Sequence, residues 1–551
     1  GRELSNEGEV FTPFQFPKDG EYLLRARAFG QQAGPDPARL EFRVDGKAIK
    51  VADVTAVERK PEVYEIRFTA QAGEKRVAAA FINDYYNPKD PNPENRDRNL
   101  IIEYVEVIGP IEPLPLPRSH LRIFTRQPAP QTTNQVAREI LAHFAARAYR
   151  RPVKPPEVDR LMQLFGMAQS DGENFETSIK LALQAVLVSP NFLFRGELQS
   201  QPDNPKSIHT VDDYALASRL SYFLWSSLPD DELFALAEKG RLRKNLDAQV
   251  SRMLKDPKAR ALVENFADQW LQIRNLSAVS PDHETFPEFS DDLRAAMAKE
   301  TELYFQYVMQ QNRSVLEFID SDYTFLNEPL ARLYGLEGVK GGEFQRVSLK
   351  DHQRGGLLTQ ASILTITSNP TRTSPVKRGK WILENIHGAP PPPPPPGVPV
   401  LKEGKEAVLT GTLRQRMEQH RADPICASCH ARMDPIGFGF ENFDGIGAWR
   451  ARDGNFPIDP SGELTSGESF QGAGDLKAIL LKQKKEQFIR CLSEKMLTYA
   501  LGRGLEHYDK CAVDQIAKDL SKNNYKFDAL VADVVKSTPF QMRRGEQVAL
   551  Q

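Results

Sequence analysis

Apolar residues recur at every second position in Tyr22-Leu-Leu-Arg-Ala-Arg-Ala, Leu40-Glu-Phe-Arg-Val-Asp-Gly, Val63-Tyr-Glu-Ile-Arg-Phe-Thr and Arg76-Val-Ala-Ala-Ala-Phe-Ile. Side chains two apart share one face of a strand, and Lys18-Asp-Gly, Asp45-Gly and Ala72-Gly-Glu supply turns between the runs. Residues 1–110 are therefore predicted to be a β-sandwich. Prolines then become too dense for a strand or helix, which predicts a stiff linker over 111–132.

The period changes near Thr133. Val136, Ile140, Leu141, Phe144 and Ala145 fall on one helical face, as do Leu161, Leu164 and Phe165, then Ile179, Leu181, Leu183 and Val186. Arg151-Pro-Val-Lys-Pro-Pro-Glu separates the first two, with proline suited to a helix start. This predicts a small helical domain over 133–200. A helical bundle over 201–340 follows, with Ser-Ser-Leu-Pro-Asp-Asp-Glu-Leu (226–233) as a capped helix start. Seven prolines from Pro390 to Pro396 can only be polyproline II, an extended spacer or strap on the order of 20 Å long. That strap belongs to a segment over 341–455, and helices resume in a C-terminal domain over 456–551. The fold class is multidomain α+β, a sandwich followed by a mainly α-helical body.

Composition narrows the function classes. At 551 residues, 40% hydrophobic and 26% charged, the chain suits several folded domains rather than a disordered tail. A formal charge of −2 gives no global field toward nucleic acid or an anionic membrane. No apolar run approaches the roughly 18 residues of a transmembrane span. The start at Gly1, without Met or a charged-then-apolar leader, is expected of a trimmed product whose signal segment is absent from this chain. Four cysteines cannot form a disulfide framework, and two of them share one pentapeptide.

That pentapeptide, Cys426-Ala-Ser-Cys429-His430, has the C-x-x-C-H spacing of covalent c-type haem attachment. Two thiols reach the two haem vinyl groups while the adjacent imidazole, His430, reaches iron as proximal ligand. A zinc site would need a second Cys/His pair at suitable spacing, and none follows. A thioredoxin-like pair would need a βαβ setting that the flanks do not suggest, and a disulfide across two residues is strained. One haem c is expected, in a cytochrome c-like domain. The distal ligand stays open among Met417, His420 and Met433, with Met496 and His507 on later helices. Met433, three residues past His430, reads better as a haem-packing side chain. A vacant distal position would mean ligand chemistry instead of electron transfer.

At these residues the chain resembles the large multidomain c-type cytochromes of planctomycetes and verrucomicrobia, which are assembled from domains of unknown function. The matching stretches are Ser189-Pro-Asn-Phe-Leu-Phe-Arg-Gly-Glu, Ala217-Ser-Arg-Leu-Ser-Tyr-Phe-Leu-Trp-Ser-Ser-Leu-Pro-Asp-Asp, Thr371-Arg-Thr-Ser-Pro-Val-Lys-Arg-Gly, Cys426-Ala-Ser-Cys-His-Ala-Arg-Met-Asp-Pro-Ile-Gly-Phe and Leu497-Thr-Tyr-Ala-Leu-Gly-Arg-Gly. The resemblance covers about 133–545 and implies an extracytoplasmic protein, periplasmic or at the cell surface, with haem on Cys426, Cys429 and His430. Longer members carry a further haem domain upstream, so either a fragment or a lost haem is expected. The sandwich looks like a carbohydrate-binding module. Asn83-Asp-Tyr-Tyr and Asp97-Arg-Asn-Leu are similar to the acidic loop with which such modules hold Ca²⁺, making Asn83, Asp84, Asp97 and Asn99 candidate ligands, although Asn and Asp also dominate ordinary turns.

In an oxidising compartment Cys491 and Cys511, on what read as neighbouring helices, are expected to form a disulfide. The basic stretch holding Arg372, Lys377 and Arg378 reads as a solvated loop or as cations for the haem propionates. Phe443 and Trp449 are expected to pack on the haem. The leading expectation is a redox protein that exchanges electrons with a partner protein and docks to polysaccharide through the sandwich. One alternative is a haem enzyme doing peroxidase-like or oxidative chemistry on a glycan; another is a scaffold in which the haem is structural.

Overall fold

The computed structural model describes residues 1–111, 116–197, 199, 201–349, 353–393, 412–420 and 424–545, with the backbone alone for 419, 420, 424–426 and 428. The chain forms two compact units, Gly1–Gln127 and Pro128–Gln551.

The first unit is a sandwich of two antiparallel sheets. Its strands are β1 (Arg2–Leu4), β2 (Gly8–Phe16), β3 (Gly20–Gln31), β4 (Ala38–Val44), β5 (Lys47–Val54), β6 (Glu62–Ala70), β7 (Gly73–Phe81), β8 (Tyr85–Tyr86) and β9 (Asp97–Ile108). One sheet runs β1-β9-β3-β6 with β8 on β9, and the other runs β2-β7-β4-β5. The alternating runs bury Tyr22, Leu24, Ala26 and Ala28 of β3 against Leu40 and Phe42 of β4. Phe16 meets Tyr22 edge-on at 4.7 Å at one end of this core. The β4–β5 hairpin closes through Asp45 and Gly46, both at positive φ (48° and 74°), the geometry a two-residue hairpin turn demands. Arg118–Ile123 is helical within the stretch predicted as linker, because no proline occurs between Pro117 and Pro128 to interrupt it.

The second unit is helical. Its principal helices are α1 (Thr133–Ala148), α2 (Pro155–Ser170), α3 (Phe175–Leu187), α4 (Asp213–Trp225), α5 (Leu246–Lys255), α6 (Asp291–Gln310), α7 (Pro375–Asn385), α8 (Leu413–His420), α9 (Pro424–Phe438), α10 (Ala473–Gln483), α11 (Lys485–Leu501), α12 (Lys510–Lys522) and α13 (Phe527–Lys536). Side-chain oxygens open several of them: Asn174 accepts from the amide of Thr177, Asp212 from Ala215, Ser290 from Leu293 and Ser374 from Lys377. The core joins Trp270, Phe305, Phe318 and Phe527 in a run of ring contacts, and the Trp270 indole donates to the Asn385 carbonyl at the end of α7. Among the described residues no helix is long and apolar enough to cross a membrane.

Candidate functional site

The stretch read as a basic loop starts a helix. Ser374 caps α7 and Pro375 occupies its first turn. The buried face of α7 packs on α9, and two glycines set the distance. A Cβ on Gly379 would lie 1.9 Å from the Met433 carbonyl oxygen, and one on Gly437 would lie 1.9 Å from that of Pro375. These pairings make the helices antiparallel and bring backbone against backbone, which only glycine permits.

This crossing fixes the lower half of the C-x-x-C-H helix. Cys429 and His430 are half-buried on α9, while the Cys426 side chain lies outside the described residues. One turn on, Asp434 is fully buried, and its two carboxylate oxygens stand 3.0 and 3.1 Å from His430 Nδ1. A buried carboxylate against Nδ1 holds the proton there and directs Nε2 away as the metal-binding nitrogen. The donor set therefore fits a haem: a thiol and an adjacent imidazole on one helix, the imidazole already oriented by a second residue. Asp434 was not singled out by sequence reasoning, although its spacing of four from His430 places both on one helical face.

The distal candidates are dispersed. Met433 is 7% exposed and faces the α7 contact. Met417 is buried with Leu413 and Phe438 in a separate small cluster. Met496 lies in the main core, and His507 is exposed beside Tyr508. The His420 side chain lies outside the described residues, as do prolines 394–396 of the strap. A further imidazole, His387, follows α7; its Nε2 is buried without a hydrogen-bond partner, and burial first, then the charges of Lys484 and Arg432, pushes it down to about 4.

Two expectations are corrected. Arg378 is no propionate ligand in solvent: it is 2% exposed and donates to the carbonyls of Phe440, Phe443 and Asp444 at 2.6–2.8 Å, with Glu441 at 3.4 Å. It pins the loop after α9, and Arg372 beside it donates to the Thr373 carbonyl. In the same loop Phe443 meets Trp449 edge-on at 5.2 Å and lies beneath the Arg354 guanidinium, while Trp449 stays exposed. Cys491 and Cys511 are not joined. Cys491 is buried and its thiol, which burial pushes up to about 11, donates to the Asn385 carbonyl, whereas Cys511 sits on the exposed side of α12.

In the sandwich, the candidate calcium ligands divide. Asn83 ties down the 37–39 turn, accepting from the Arg39 amide and donating to the Pro37 carbonyl, and Asp84 is exposed. Asp97 and Asn99 stand together on β9. The Asn99 amide nitrogen donates to Gln31 at 2.7 Å and to Asp97 at 3.3 Å, while its Oδ1 is buried with no partner. An orphaned amide oxygen beside a carboxylate fits a hard, oxygen-seeking cation. Between them Arg98 is buried, donating to the carbonyls of Ala33 and Asn83.

Five family models match consecutive parts of the chain. The Ca-dependent, xylan-binding carbohydrate-binding module CBM60 matches 23–115. Proteins of unknown function follow: DUF1595 at 136–197, DUF1592 at 211–336, DUF1588 at 354–453 and DUF1585 at 466–540. The chain belongs to the multidomain planctomycete cytochrome c family. Within this family member, α7, α9 and the loop they hold all fall in the DUF1588 segment. A solved family 35 carbohydrate binding module from an environmental isolate is similar at 15% identity over 19% of this chain and 67% of that chain, with a TM-score of 0.15. No curated protein matches the chain.

Proposed function

We propose that this chain is an extracytoplasmic haem-c protein that transfers electrons to or from a partner protein, while its sandwich grips a xylan-like polysaccharide with the help of Ca²⁺. The observation that carries the reading is the His430–Asp434 pair behind the second cysteine of the attachment motif. Cys426 and Cys429 would hold the haem covalently and His430 would hold its iron. When bound, the haem supplies a one-electron couple. Asp434 keeps the His430 proton on Nδ1 and raises the basicity of Nε2, and the α7–α9 contact keeps both side chains from turning. In the sandwich, Asp97 and Asn99 offer the oxygens a calcium ion takes. The match to a Ca-dependent, xylan-binding module supports the choice of cation and sugar.

The test is an optical and EPR spectrum of the purified holoprotein, oxidised and reduced, with and without CO or cyanide. Low-spin bands unmoved by CO are expected and mean an electron carrier. A high-spin signal that shifts with CO means an open iron and overturns that role in favour of oxidative chemistry. Asp434→Asn is expected to raise the reduction potential, since an amide stabilises the oxidised iron less than a carboxylate does. An unchanged potential would remove Asp434 from the site.

A further inference from the structure

A cavity of about 990 Å³ opens in the helical body, and none of its lining residues belongs to α7 or α9. Segments from three of the matched domains enclose it: Tyr149 to Glu197, the start of α4, and the stretch from Ala500 to Gly545. Arginines outnumber carboxylates along its walls. Four of the seven are held in pairs over tyrosine rings. Tyr222 carries Arg150 at 5.9 Å and Arg195 at 5.0 Å, and Tyr508 carries Arg503 at 5.8 Å and Arg544 at 5.7 Å. The Arg195 Nη2 lies 3.9 Å from where a Cβ on Gly502 would stand, so the two pairs adjoin.

The carboxylates of the cavity are already engaged. Glu197 takes Arg219 at 2.5 Å and Arg543 at 3.0 Å, and Asp509 takes Arg503 at 2.7 Å. Asp212 accepts from the Ala215 amide and Asp519 from Lys522. Asp533 is pushed up to about 6, chiefly by burial, so it carries only part of its charge near pH 6. Arg195 and Arg544 are exposed, and among the described residues neither has a carboxylate partner. Ring-braced guanidinium groups with unneutralised charge are forks awaiting planar anions. The wall also presents Tyr149, Tyr214 and Tyr508, whose ring edges and hydroxyls suit pyranose rings. The α4 N-terminus is stoppered by Asp212, so no open row of backbone amides is offered to a phosphate.

We propose that this cavity is a second binding site of the chain, taking a short anionic oligosaccharide whose acidic groups are clasped by Arg195 and Arg544 while its rings lie against the tyrosines. The site lies wholly in the helical body, and the proposal does not depend on the haem reading. It is tested on the full-length holoprotein in EDTA, which silences any calcium-held sugar in the sandwich. Calorimetric titration with tetragalacturonate is expected to show binding that weakens with salt, and xylotetraose is expected to bind at least tenfold more weakly. A sulfated tetrasaccharide run alongside distinguishes a preference for sulfate from one for carboxylate. Arg195→Ala combined with Arg544→Ala, two exposed positions whose change is expected to leave the circular dichroism spectrum unchanged, is expected to weaken binding at least tenfold. Cys511, exposed on the cavity wall, gives a second readout, because the bound sugar should slow its alkylation. Equal affinity for neutral and acidic sugars, no binding of either acidic sugar, or unchanged binding by the double variant overturns the proposal. Protection of Cys511 by polyglutamate but by neither acidic sugar also overturns it and assigns the cavity to an acidic protein segment.

Discussion

Glu300 sits at the centre of the helical body with no exposure, and its two carboxylate oxygens accept from the hydroxyls of Thr324 and Tyr334, each at 2.6 Å. Burial outweighs those two donors and pushes it up to about 7. The folded chain therefore keeps this proton across a range where the unfolded chain has released it, so stability is greatest below about pH 4.5 for this group and falls as pH rises to about 7. The fall amounts to about 3 kcal/mol. Glu300→Gln is expected to remove this contribution, leaving the falls of Asp268 and Asp533, both raised to about 6, and the opposing rise from His387, lowered to about 4. Melting temperatures between about pH 5 and 7 check this, and a variant as steep as the parent would remove Glu300 from the pH response. At this scale the sequence was a partial guide. Cys429 and His430 stand in the local motif that spacing announced, because the motif is contiguous. Arg378 was misread, because the carbonyls that consume its guanidinium come from Phe440, Phe443 and Asp444, more than sixty residues on, and no local pattern records them.

The helices show the same division between local and distant causes. Alternation announced β3, β4, β6 and β7, whose inner faces supply most of the sandwich core. β2 and β5 went unread because their alternation is broken by exposed Phe11 and Val51 and by Pro13. Two helical glycines separate propensity from packing. Gly166 in α2 has nothing within 4 Å of where a Cβ would stand, so Gly166→Ala gains only helix propensity and is expected to stabilise by about 0.5–1 kcal/mol. Gly437 in α9 meets the Pro375 backbone at 1.9 Å, and Gly437→Ala must push α7 and α9 apart, at a cost of about 2 kcal/mol or more. The same displacement would move His430 and Asp434 relative to α7, so the yield of haem-loaded protein should fall with it. Denaturant melts of the two variants decide the matter. Equal effects would mean that the α7–α9 contact does not set the position of the attachment helix.

The whole chain contains two units with separate cores, so heating should unfold them in two transitions. Their signals can be told apart from the sequence alone. All four tryptophans, Trp225, Trp270, Trp381 and Trp449, lie in the helical unit, and the sandwich has none. Tryptophan fluorescence therefore reports the helical unit, and calorimetry reports both. A calcium ion held by Asp97 and Asn99 binds only the folded sandwich, and at one hundred times its dissociation constant it would add about 2.7 kcal/mol to that unit alone. Calcium is thus expected to raise the calorimetric transition that tryptophan does not see and to leave the fluorescence melt in place. EDTA should reverse the shift, and Asp97→Asn should abolish it by removing the carboxylate that Asn99 touches. A shift in the fluorescence melt instead would place the ion in the helical unit. No shift in either transition would leave Asn99 Oδ1 a buried acceptor without a ligand and remove calcium from the sugar-binding mechanism.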